Sequence, residues 1–134
     1  QERMRHWVFD LDGTLVDSFS HYFAFLEETF RGRGIEFDER LKHEALTEPL
    51  VSYFGRYFGK HRVDELIARV HARSIADAEK VLPFEGIPET LETLASRGSR
   101  LAVLTNRDIE SARIILRTTG LDRFTEACLS GSCV

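Results

Sequence analysis

The run Val8-Phe9-Asp10-Leu11-Asp12-Gly13-Thr14-Leu15 sets two carboxylates, a glycine and a hydroxyl directly behind an apolar, strand-like stretch. In an extended chain side chains alternate in direction, so Asp10 and Asp12 are expected to point the same way with α carbons roughly 6 to 7 Å apart. Two such charges resist ionising together unless a cation neutralises them, so the pair either recruits Mg²⁺ or leaves one member protonated. Either outcome suits phosphoryl transfer. One carboxylate attacks phosphorus, and the other gives a proton to the leaving oxygen and later takes one from water.

A second cluster agrees. Arg100-Leu101-Ala102-Val103-Leu104-Thr105-Asn106 is a short apolar run ending in a hydroxyl and an amide, ahead of a helix predicted from about Asp108 to Thr119. A run of this length between helices reads as a buried parallel strand. Ligands of open parallel sheets sit beyond the carboxyl ends of the strands, so Asp10 and Thr105 are expected at one place. Asn106 and Asp108 also suit the cap of the following helix. Arg107 falls in a first helical turn, where arginine is more often solvated than bound to phosphate.

Asp10-Leu11-Asp12-Gly13-Thr14-Leu15-Val16-Asp17-Ser18 resembles the first motif of the haloacid dehalogenase superfamily, in its branch of phosphoglycolate-phosphatase-like hydrolases. The resemblance implies that Asp10 is the nucleophile that becomes an aspartyl phosphate and that Asp12 is the general acid and base. It also implies a Mg²⁺ site at Asp10 and Asp12, using the side chain of the first and the main-chain carbonyl of the second. Thr105-Asn106 looks like the family's second motif, whose hydroxyl hydrogen-bonds the transferring phosphoryl group. The family's dehalogenases and phosphonate hydrolases lack an acid at the second motif position, so Asp12 argues for a phosphate ester.

With 134 residues, 43% hydrophobic and 30% charged, the chain reads as an ordinary globular protein. A net charge of −4 with scattered arginines argues against nucleic acid as a partner. No apolar stretch approaches membrane-spanning length and the start lacks a long apolar segment, so a cytoplasmic location without a membrane partner is expected. Cys128 and Cys133 lack further ligands at metal spacing and read as reduced thiols.

The fold class expected is α/β, a Rossmann-like parallel sheet core with an inserted α-helical cap. Residues 1–18 and 83–134 form the core and 19–82 the insertion. Phe19, Phe23, Leu26 and Phe30 recur at helical spacing. Asp38 is placed to cap a second helix, Leu50 to Phe58 marks a third, and Val63 starts a fourth running toward Val81. Their aromatics read as the core of a bundle, and His21, Arg33 and Arg56 as surface residues. Pro83-Phe84-Glu85-Gly86-Ile87-Pro88 suits a rigid return to the core, Pro88 opens the next helix, and a third strand follows between Glu126 and Gly131.

The family continues with a cationic residue and a strand ending in further metal-binding aspartates. Those motifs are not found in these residues, so the resemblance implies a longer polypeptide, and without that neighbouring strand the Trp7–Phe9 strand has an unpaired, apolar edge. The function implied is a Mg²⁺-dependent phosphatase of a small phosphorylated metabolite. A phosphomutase of the same chemistry and a non-catalytic phosphate-binding module are the alternatives.

Overall fold

The computed structural model describes residues 5–130, and Gly131 and Cys133 lie outside them. In chain order the elements are β1 (His6–Phe9), α1 (Phe19–Arg31), α2 (Glu39–Thr47), α3 (Leu50–Phe58), α4 (Val63–Asp77), α5 (Ile87–Ser96), β2 (Arg100–Thr105), α6 (Ile109–Thr119) and β3 (Ala127–Ser130). Two compact units result. One runs through Phe19 and resumes at Asp77, and the other is Ser20–Ala76.

The first unit is a parallel sheet in the order β1-β2-β3, with Phe9 beside Val103 and Thr105 beside Ser130. Both crossovers step one strand in the same direction, which places α5 and α6 on the same face. That face is the core. Leu101 and Val103 of β2 are fully buried with Leu91 of α5 and Ala112 and Ile115 of α6. On the opposite face apolar side chains are exposed among the described residues, Val8 66%, Leu104 48% and Leu129 57%. Among the described residues β1 pairs with β2 alone, so its other margin is open. Cys128 is half-buried on β3, and burial pushes its thiol pKa up.

Local chemistry sets the ends of these elements. The Asp108 side chain accepts from the Ser111 amide at the start of α6, and Gly120 closes that helix at φ 76°, a left-handed conformation that glycine adopts without strain. The return from the helical unit is pinned by two main-chain bonds, Asp17 N–H to Leu82 O (2.9 Å) and Phe84 N–H to Leu15 O (3.1 Å). They hold the two passages of chain side by side next to the loop that carries the acids.

The helical unit has its own core. Phe30 is fully buried, with the rings of Phe37, Tyr53, Tyr57 and Phe58 at centroid distances of 5.6, 5.8, 5.5 and 4.9 Å. Asp38 caps α2 by accepting from the Leu41 amide, as its position suggested. Tyr53 donates its hydroxyl to Leu41 O at 2.8 Å, and burial pushes its pKa up, so it stays a neutral donor. Arg56 binds Glu44 and Glu48 at 3.0 and 2.8 Å within this unit. No helix among the described residues is long and apolar enough to cross a membrane.

The Tyr57 hydroxyl donates to Glu44, and that bond, joined by Arg56, holds the Glu44 carboxyl below its ordinary range. A depressed carboxylate contributes stability above its unfolded value and loses it as pH falls through the folded value. The helical unit is therefore expected to weaken on acidification through the carboxylate range, and Tyr57→Phe to flatten that dependence. Unfolding midpoints measured against pH for both proteins check this; parallel curves would refute it.

Candidate active site

The loop after β1 is shaped by Leu11. Strand geometry stops at Phe9, and the amides of Thr14, Leu15 and Val16 all donate to the Leu11 carbonyl at 3.3, 3.0 and 3.2 Å. Leu11, Leu15 and Val16 are buried and fasten this turn to the sheet core. Gly13 sits inside it at φ 75°, where a β carbon would run into the Phe19 ring, so only glycine fits. The turn opens at Leu11 and runs through Gly13, so it follows Asp10 and carries Asp12.

The two acids stand in different surroundings. Asp10 is exposed, and its Oδ1 accepts the Leu11 amide at 2.9 Å. It lines an open depression of about 330 Å³ together with Val8, Phe9, Leu104, Thr105 and Asn106. This depression lies at the carboxyl ends of β1 and β2, the place where parallel sheets receive ligands. Thr105 is buried and accepts the Arg107 amide on Oγ1 at 3.0 Å. A hydroxyl that accepts there still has its proton to donate.

Asp12 is not part of that lining. Its Oδ1 accepts the Ser18 hydroxyl and the Arg107 guanidinium, Nε at 3.0 Å and Nη2 at 2.8 Å. Arg107 therefore departs from the expectation of a solvated side chain, being only 14% exposed. Its partner lies 95 residues away in sequence, a pairing that no local pattern could reveal. A protein cation thus offsets part of the repulsion that the paired acids would otherwise suffer.

Magnesium suits the oxygen donors here, since Mg²⁺ is ordinarily held by one or two carboxylates with phosphate and water making up the rest. Among the described residues no group of three or more His, Cys, Asp or Glu side chains comes together for a metal ion. The loop offers oxygen atoms of this kind in the Asp10 carboxylate and in its main-chain carbonyls.

A parallel sheet with helices on one face and an acidic loop plus a hydroxyl at its carboxyl edge defines an α/β protein with a depression beyond its strand ends, where sheets of this class receive ligands. The family follows from the comparisons: residues 7–134 match the model of the haloacid dehalogenase-like hydrolases, and the chain belongs to that family. It is 32% identical over 131 residues to pyrophosphatase PpaX of Halalkalibacterium halodurans, covering 92% of this chain and 58% of that protein. It is 30% identical over 137 residues to phosphoglycolate phosphatase of Aquifex aeolicus, covering 96% and 61%. A haloacid dehalogenase-like family hydrolase from Streptococcus pneumoniae superposes with a TM-score of 0.79 at 25% identity, covering 93% of this chain and 60% of the other. The chain thus spans about 58 to 61% of the length of these curated relatives.

Proposed function

We propose that the protein is a Mg²⁺-dependent phosphatase acting on a small phosphate monoester through an aspartyl phosphate on Asp10. The observation that carries this reading is the depression that Asp10, Thr105 and Asn106 line together, with Asp12 fixed on the same loop. The names of the relatives, a pyrophosphatase and a phosphoglycolate phosphatase, support it.

Asp10 Oδ1 accepts the Leu11 amide, which leaves Oδ2 as the attacking oxygen. Thr105 donates its hydroxyl proton, and Asn106 its main-chain amide, to the phosphoryl oxygens. Asp12 passes a proton to the leaving oxygen and takes one from the water that cleaves the aspartyl phosphate. Asp10 and the Asp12 carbonyl would hold Mg²⁺, which when bound neutralises charge on the transferring group. The helical residues 19–82 act as a cap that selects the ester, the core being 1–18 and 83–134. The substrate is a phosphorylated metabolite met in the cytoplasm.

The full-length protein should hydrolyse p-nitrophenyl phosphate, lose turnover on chelation and regain it with Mg²⁺. Acid quenching during turnover of a radiolabelled monoester should trap a label that hydroxylamine releases. Turnover indifferent to chelator, or no trapped label at saturating substrate, would refute the proposal.

A further inference from the structure

We infer that Arg107 is the positioning residue for Asp12: it fixes Oδ1 of that carboxylate and so leaves Oδ2 to exchange the reacting proton. The inference rests on the reading of Asp12 as general acid and base given above.

Oδ1 receives three donors, Ser18 Oγ at 2.5 Å, Arg107 Nε at 3.0 Å and Arg107 Nη2 at 2.8 Å. Among the described residues Oδ2 receives only a longer contact from Arg107 Nε, at 3.3 Å. A carboxylate oxygen has about two lone-pair sites, so Oδ1 is saturated while Oδ2 retains capacity. The terminal torsion of an aspartate is broad and nearly twofold, so without such an anchor the two oxygens interchange. Arg107 supplies the anchor side-on, through two nitrogens of one rigid plane. Lysine has a single ammonium and cannot reproduce that fork.

Arg107 is itself held on every side. Its amide donates to Thr105 Oγ1 at 3.0 Å, its carbonyl accepts from Ser130 Oγ at 2.7 Å, and Nη1 reaches Ser111 Oγ at 3.3 Å. Ser111 is fully buried and is fixed in turn by the Asp108 carboxylate, its hydroxyl at 2.7 Å and its amide at 2.8 Å. The helix cap therefore orients the guanidinium, and the guanidinium orients the acid.

Positioning of a general acid matters most where the leaving group needs a proton. The test is kcat/KM, which reports formation of the aspartyl phosphate, measured in the full-length protein for p-nitrophenyl phosphate and for glycerol phosphate. Arg107→Ala and Arg107→Lys should lower the first less than about tenfold and the second about 10² to 10³-fold. Guanidinium ion should restore part of the lost activity in Arg107→Ala. In an Asp12→Asn background, Arg107→Ala should change either value by no more than about twofold, since the two residues act as a unit. Equal losses on both substrates, or losses that multiply in the double variant, would overturn the inference. Asp10→Asn separates the two levels: full turnover in that variant refutes the phosphatase reading itself, whereas its loss beside equal Arg107 losses refutes only the role of Arg107.

Discussion

Replacing Asp10 by Asn is expected to lower turnover at least about 10⁴-fold and to remove the hydroxylamine-sensitive label, because the attacking oxygen becomes an amide group that does not form an acyl phosphate. The fold should hardly notice. Asp10 is exposed, and its Oδ1 accepts only the Leu11 amide among the described residues, a bond that the Asn carbonyl can keep. The unfolding free energy should stay within about 0.5 kcal/mol of the parent. Asp12→Asn is expected to lose less, about 10² to 10⁴-fold, because it removes proton transfer and leaves the nucleophile in place. Turnover measured for both variants at saturating Mg²⁺ decides the matter. An Asp10→Asn protein working near the parent rate would exclude covalent catalysis at this position.

The second large effect is on stability. Phe30→Ala should cost about 3 to 5 kcal/mol, the range for emptying a fully buried phenylalanine site, against a total of about 5 to 15 kcal/mol for a typical protein. The distribution of the tyrosines and the tryptophan makes the loss assignable. Tyr22, Tyr53 and Tyr57 all lie in the helical unit, whereas Trp7 lies on β1 of the sheet unit. Since the two units have separate cores, the tyrosine transition in urea should move down by at least about 1 M. The tryptophan transition should move less. Equal displacement of both signals would show that the aromatic core does not melt as its own unit.

Much of this arrangement could be read from the chain, for identifiable reasons. Asp38 and Asp108 mark helix starts because a short acceptor side chain satisfies an otherwise unpaired amide, and the aromatic spacing from Phe23 to Phe30 marks a buried helical face. The apolar run ending at Thr105 identifies β2, and its neighbour relation to Phe9 follows from parallel-sheet rules. Two features were not legible. No periodicity foretells the turn in which three amides converge on the Leu11 carbonyl. Nor does any local pattern tie Arg107 to Asp12, since that pair exists only once β1 and β2 lie side by side. An arginine in the bend ahead of a helix ordinarily finds water. Here the neighbouring serines and the acid across the sheet edge hold it instead.

Connections between strands and helices generally accept added residues over evolutionary time. The bend from Thr105 to Ile109 should be an exception. Its central residue is engaged through amide, carbonyl and side chain with β2, β3, α6 and the acidic loop at once. Lengthening it by a single position would shift all four attachments out of phase together, so its length should be as strictly kept as the identities of the acids.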